Sequence, residues 1–324
     1  MRTKLLIATL CAVLPDFLLE IATAAEIPIQ SVVSVSRQRG STAPKQGMPH
    51  QQRTESDGQS LLHQAQAAML RHYTVSAQVF QKSHIFSIDV IGLGQYSEQR
   101  SNQGVRFRLE INLQTQDDKL ASGLLQVCDG DHLWNYRKLR GQESLSCVDL
   151  ATVQQRLDEK GVRAPLRPLD AWPGVGGLSE LLASFDRAFL FDTPEGVELQ
   201  AHFPAWKIEG HWRPEMLARA VPEHKEEIEQ GRGVALEDLP KHLPNRIILF
   251  LGKEDLFPYS IVYYRLDGNT ATVKAGPNDP PMVRINLTNV RFNQQVNAAQ
   301  FVYRPNLPCT DQTEQLLQRL GLNR

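Results

Sequence analysis

Residues 128–132, Cys-Asp-Gly-Asp-His, put four possible metal ligands within five positions. A protein metal site built on Cys and His closes with a second cluster at ligand spacing, and the chain carries none. An Asp-Gly turn leading into an alternating strand accounts for the same residues, so no metal is expected. Pro173 to Glu180, PGVGGLSE, is a glycine-rich loop opening a helix. Helix N-termini bind anions, but no strand leads straight into this loop and no Lys-Ser/Thr follows it, as a phosphate loop requires. It reads better as a hinge before a mobile helix, and no cofactor is expected. The nine histidines are scattered, and neither H-E-x-x-H nor G-x-S-x-G occurs. A triad is assembled in space, so a secreted hydrolase stays open as a reading, with a cluster of perturbed acid–base groups in a cleft as its sign. The carboxylate pairs Asp117-Asp118, Glu226-Glu227 and Glu254-Asp255 fall in turns or charged surface. No catalytic residue is assigned, and the chain is expected not to be an enzyme.

What must position any site is a run of strands. In GVRFRLEINLQTQ, Val105, Phe107, Leu109, Ile111 and Leu113 alternate with Arg106, Arg108, Glu110 and Asn112. Period-2 alternation means a strand with one apolar and one wet face, and such strands belong to antiparallel sheets solvated on one side. LASGLLQV follows, then the Asp129-Gly130 turn, then a strand with Leu133, Trp134 and Tyr136. Whether the apolar face meets its own core or a greasy ligand is the functional question.

Around this meander we expect a helix from about Ser60 to His72, with Leu61, Leu62, Ala65, Ala68, Met69 and His72 on one face. Strands are expected at 74–81, 85–96, 105–115, 120–127, 132–138, 144–148, 188–192, 196–201, 205–212, 246–251, 259–266 and 283–292. The second should bend near Val90-Ile91 as at a bulge, with Gly92 and Gly94 suiting sharp curvature. Asp149 caps a short helix to Lys160. Leu178 to Phe185 forms a second, its stripe Leu178, Leu181, Leu182 and Phe185. These two short helices read equally as a lid over the open side of a curved sheet or as ordinary core helices. EHKEEIEQG reads as a solvated surface helix. A strand around Phe301-Tyr303 and a helix from Asp311 to Leu320 end the chain. No crossover helices separate the strands, so the fold class is mainly β with α, one antiparallel sheet. Trp134, Trp206 and Trp212 sit at alternating strand positions, where they line either a ligand wall or a plain core.

The 324 residues are 41% hydrophobic and 22% charged with a formal net charge of -1. That is close to the globular average and offers no basic excess for nucleic acid. Arg2 and Lys4, an apolar run Leu5–Leu14 and Ala22-Thr23-Ala24 make a secretory leader cleaved near Ala24. The run is too short to span a bilayer, which takes roughly 20 apolar residues. We therefore expect a leader at 1–24, a disordered polar spacer at 25–58 and one domain at 59–324, exported or periplasmic. Cys128, Cys147 and Cys309 remain, an odd number. Cys128 and Cys147 flank an intervening strand, roughly 9–10 Å apart by two strand spacings, beyond bonding reach; no disulfide is expected. Asn286-Leu287-Thr288 lies in a predicted strand and reads as a chance match to a glycosylation site.

The order of elements resembles the periplasmic outer-membrane lipoprotein carrier family, LolA-like, over about 59–305. GVRFRLEINLQ, CDGDHLWNY, LPNRIILFLGKEDLFPYSIVYYRL and VRINLTNVRFNQQVNAAQFVYRP carry the likeness. The long spacer, the charged 214–240 stretch and the terminal DQTEQLLQRLG helix depart from it. The resemblance implies an unclosed half-barrel with lid helices around an apolar cavity for acyl chains. It places Val105, Phe107, Leu109, Ile111, Leu113, Trp134, Trp206 and Ile208 in the cavity wall and Leu178, Leu181, Leu182 and Phe185 in the lid. Arg106 and Arg108 are its candidates for a lid-locking arginine. The implied cargo is a lipid or acylated lipoprotein, handed between membrane-bound donor and acceptor proteins by a monomer. The alternative is an envelope sensor or scaffold using the same half-barrel for a protein partner.

Overall fold

In the computed structural model the described residues are 57–85, 88–101, 104–115, 122–139, 141–159, 177–270, 272–276, 278–319 and 322. The expected leader and nearly all of the spacer lie outside them. The first element, α1 (Asp57–Met69), buries Leu62, Ala65, Ala68 and Met69, the predicted face. It starts inside the expected spacer because Gly58 packs on the chain: a Cβ there would fall 1.8 Å from the Asp192 carbonyl oxygen.

Six strands follow as a meander: β1 (Thr74–Ile85), β2 (Ile88–Ser101), β3 (Gly104–Thr115), β4 (Ser122–Cys128), β5 (His132–Leu139) and β6 (Gln142–Asp149). Helices α2 (Leu150–Glu159) and α3 (Gly177–Ala188) come next, then β7 (Phe189–Phe191), β8 (Glu195–Leu199) and β9 (Phe203–Trp212). Two short helices, α4 (Pro214–Ala220) and α5 (Lys225–Glu229), precede β10 (Arg246–Gly252), β11 (Pro258–Tyr264) and β12 (Val283–Phe292). The chain ends in β13 (Thr310–Asp311) and α6 (Thr313–Arg319).

All thirteen strands form one sheet in the order β13-β6-β5-β4-β3-β2-β1-β12-β11-β10-β9-β7, with β8 also on β9. Its two end strands do not meet, so it is an unclosed half-barrel. Every pair is antiparallel except β13 on β6, as the lack of crossover helices requires. The expected bulge is not in β2, which pairs with β1 without a break from Thr74↔Gln99 to Ile85↔Ile88. The register shift lies across the other edge of β1, between Ser76 and Gln78 against β12. The glycines do serve close approach: a Cβ on Gly94 would stand 1.9 Å from the Glu110 carbonyl oxygen of β3.

One face of the sheet carries the main core and all the longer helices; α1 packs on α3, and α2 on α6. The expected surface helix at 223–231 is exposed apart from Ile228 and the half-buried His224, but the rest of the charged 214–240 stretch contributes to the core. Met216, Leu217, Val221, Ile228, Val234 and Leu239 are buried in that core. Arg265 pins the coil after α5 by donating to the carbonyls of Leu236, Leu239, Pro240 and Leu243 at 2.7–2.9 Å. The opposite face holds a small core of Ile248, Val262, Tyr264 and Leu266.

Residues 293–309 cross that opposite face as a strap. The expected strand at 301–303 is a 3₁₀ turn, Ala298–Phe301, seated against β3. Arg108 donates to the Gln300 carbonyl at 3.5 Å, and the Tyr303 ring lies 5.9 Å from Trp134. Phe301 is 1% exposed. The strap ends in a disulfide, Cys147–Cys309, with Cα atoms 6.1 Å apart and a separation of 162 positions in sequence. The expectation of no disulfide is therefore corrected. Its reasoning on the local pair holds, since Cys128 is free and buried, but the partner of Cys147 arrives with the tail.

Candidate ligand-binding site

Alternation sorts the predicted wall residues by face. Val105, Phe107, Ile111 and Leu113 are buried on the helix-covered face, and Leu109 is half-buried beside them. Ile208 on β9 is fully buried there, and Trp206 packs at its margin under the Lys253 ammonium, 4.7 Å above the ring. Trp134 is set apart. It shares parity with Arg108, not Phe107, so it faces the strap, stacks on His132 at 5.4 Å and points its indole N–H at Asp129. Arg106 and Arg108 also take that side. Arg108 pairs with Glu110 at 2.9 Å, and neither arginine lies on the face that α3 covers.

The predicted lid residues fall on one side of α3. Leu182 is 0% exposed and Phe185 1%, Leu178 is buried and Leu181 half-buried. Phe185 meets Phe189 and Tyr263 edge-on, at 6.5 and 6.3 Å between ring centroids. Burial in this setting pushes the Tyr263 hydroxyl well above the usual tyrosine range. Wall and stripe thus share one apolar core, with α3 lying between solvent and the sheet.

Polar contacts lace α3 to its surroundings. Gln59 of α1 donates to Asp186 and accepts from the Phe191 N–H at 3.1 Å. Gln66 donates to the Leu182 carbonyl at 3.4 Å, and Arg213 to the Asp186 carbonyl at 2.8 Å. Arg187 pairs with the buried Glu180 within the helix.

The start of α3 rests on an ionisable cluster that the alternation pattern alone did not single out. Tyr96 and Glu98 lie on the apolar face of β2, opposite Leu109 and Phe107. The Glu98 side chain is 4% exposed. Its Oε2 accepts the Tyr96 O–H and, at 3.1 Å, the Leu178 N–H of the first turn of α3; its Oε1 accepts from Arg100 at 3.0 Å. Burial and the Glu98 charge push the Tyr96 hydroxyl well above its usual range, so it remains a donor. Gly177 is required here by space and by backbone. Its φ is +66°, and a Cβ would lie 2.3 Å from Glu98 Oε2. The expected second strand stopped at residue 96, two positions short of Glu98, so the sequence reading did not reach it.

On the opposite face a groove of about 590 Å³ is lined by Gln78, Phe80, Leu93, Gln95, Glu110, Asn112 and Thr288. These belong to two rungs, Gln78↔Gln95↔Glu110 and Phe80↔Leu93↔Asn112, out of phase with the wall residues. Leu93 is 56% exposed and Ile91 40%. Among the described residues no three His, Cys, Asp or Glu side chains gather as a metal site, and no helix is long and apolar enough to cross a membrane.

No family model matches the chain, and no curated protein matches it significantly. Solved structures similar to it include an uncharacterized conserved protein from Thermus thermophilus, at 11% identity and a TM-score of 0.37 over 78% of this chain and 98% of that one. A DUF1329 family protein from Desulfovibrio piger aligns at 9% identity and 0.35, over 77% and 98%. A domain described provisionally as an outer membrane lipoprotein-sorting protein, from Vibrio parahaemolyticus, aligns at 8% and 0.32, over 75% and 95%. These are distant similarities, and the functional reading rests on the chain's own geometry.

Proposed function

We propose that this chain is an exported binding protein that shields acyl chains of lipids or lipoproteins between its sheet and α3. It performs no covalent chemistry. The observation that carries the reading is the stripe of α3, whose Leu178, Leu182 and Phe185 lie buried against the apolar face of an unclosed sheet. Exposing an acyl chain of about sixteen carbons to water costs on the order of ten kcal/mol, at ~0.8 per methylene. Lifting α3 exposes three large side chains, at about 1.5–3 kcal/mol each, and an acyl chain laid along Val105, Phe107, Leu109, Ile111 and Leu113 offsets that cost. Release then needs a membrane or membrane-bound acceptor that favours the open state, because a ligand shifts an equilibrium only by its differential affinity. The Cys147–Cys309 bond favours an oxidising compartment, which fits the leader and a periplasmic or otherwise exported location. The carrier is taken to act as a monomer without cofactor or nucleic acid.

A second reading is favoured by the groove and the exposed Leu93 and Ile91 on the other face. There the protein is an envelope scaffold that docks a protein partner. Native mass spectrometry of the mature chain, residues 25–324, purified from its own envelope, separates the two. Acylated species near one per chain are expected. A mass that stays empty after incubation with lipids and lipoproteins moves the assignment to the scaffold.

A further inference from the structure

The groove on the face away from α3 is built from two neighbouring rungs that differ in character. The first runs Thr288↔Gln78↔Gln95↔Glu110 across β12, β1, β2 and β3. It is polar throughout, and each of its two amides offers both a donor and an acceptor. The second runs Phe80↔Leu93↔Asn112. There the half-buried Phe80 and the 56%-exposed Leu93 stand side by side as an apolar platform. Both rungs line the same groove of about 590 Å³. The surface runs on openly past Asn112: a Cβ on Gly123 of β4, its rung partner, would meet nothing nearer than Asn112 Oδ1 at 3.8 Å.

This lining selects the chemistry of an occupant. Glu110 is the one charged residue among the described residues of the lining, and Arg108 pairs with it at 2.9 Å, so the groove has no net charge to hold an ion. Gln78 Oε1 accepts from Asn289 at 2.6 Å, which leaves the Gln78 NH2 group to donate. A matching ligand is uncharged, carries hydroxyls that both donate and accept, and has C–H surface to lie on Phe80 and Leu93. A pyranose with equatorial substituents has this combination, hydroxyls at its rim and apolar C–H faces above and below. Spacing then separates an extended glycan from an extended peptide. A β-1,4-linked pyranose chain advances by about 5 Å per ring, close to the strand spacing of about 4.7–4.9 Å, so successive rings meet successive side chains of a rung. An extended peptide advances by about 3.2–3.4 Å per residue and falls out of step.

We propose that this groove is a second binding site, for an uncharged, extended β-1,4-linked oligosaccharide lying across β12, β1, β2 and β3. Its rings lie on Phe80 and Leu93, and its hydroxyls bond along the rung from Thr288 to Glu110. The site is on the face opposite the acyl wall, so it does not depend on the opening of α3. It gives the scaffold reading a glycan in place of a protein partner.

Isothermal titration of the mature chain, residues 25–324, with cellohexaose, chitohexaose and maltohexaose tests this. The first two are extended, whereas maltohexaose carries the hydroxyls of cellohexaose on a coiled chain. At least one extended chain should bind about tenfold or more tightly than maltohexaose. Gln78→Ala with Gln95→Ala should weaken that binding by about tenfold, two neutral hydrogen bonds at a few-fold each. Leu93→Gln should weaken it several-fold by removing apolar surface from the platform. All three side chains are exposed, so melting temperatures should barely move. Maltohexaose binding as tightly as the extended chains overturns the proposal, as does binding unchanged in either variant. No binding by any of the three sugars overturns it and returns the groove to a protein partner. None of these outcomes bears on acyl carriage.

Discussion

The two faces of the sheet are both covered, and the covers differ in how they are held. On one face α3 lies against the wall by an apolar stripe and a carboxylate at its first turn. On the other, the strap buries Phe301 and is stapled to β6 by Cys147–Cys309, after which β13 adds two residues to the sheet edge. A non-covalent cover joined to the sheet at one end can open and close. A cover fastened at β12 and again by a disulfide stays shut. On the carrier reading, motion belongs to the helix face and permanence to the strap face.

Truncating the stripe tests the first half of the contrast and carries the largest effect. Leu182→Ala with Phe185→Ala removes two fully buried side chains, and either alone typically costs about 2–5 kcal/mol in a core. If α3 is the part that opens, amide exchange across 177–188 accelerates by more than about a hundredfold while β2 and β3 amides keep their protection, and acyl retention is lost. Equal acceleration throughout the molecule would make α3 an ordinary core helix.

Cys147→Ser tests the second half. A native bridge closing a long loop contributes about 2–5 kcal/mol, and these cysteines are 162 positions apart in sequence. The urea midpoint should fall accordingly, and exchange should rise in the strap and α6. Acyl binding at low temperature should stay unchanged, because the strap's contacts with Arg108 and Trp134 lie on the face opposite α3. A loss of binding matched to that of the stripe variant would erase the difference between the covers.

The smallest effect lies away from both. His224 shares a hydrogen bond with Glu227 at 2.9 Å and lies 3.7 Å from Asp238, and its pKa is raised, first by the Glu227 hydrogen bond. A raised folded-state value means stability fully present below the unfolded histidine value, about 6.5, and lost as pH rises through the folded one. Melting temperatures of the wild type and His224→Gln should differ at about pH 5 and converge by about pH 8, leaving α3 exchange unaltered.

Most of the sheet was legible beforehand because period-2 alternation reports faces directly. Val105 to Leu113, Ile208 and the α3 stripe fell where their spacing put them. Trp134 did not, since an aromatic in a strand carries no mark of which face it shares with its neighbours until the turn at Asp129-Gly130 sets its register. Glu98 lay beyond the expected strand 85–96, and its purpose depended on Leu178, far along the chain.

Residue order by itself determined the antiparallel meander, the apolar face and the amphipathic helices, because these follow from local periodicity and from the lack of crossover helices. Tertiary structure alone decided the Cys147–Cys309 bond, the strap across the far face, and the meeting of Glu98, Arg100 and Leu178 around one carboxylate. The bond, the strap and the Glu98–Leu178 contact each join groups far apart in the chain, and such pairings leave no local pattern; they arise only when the sheet curls and the tail is laid across it.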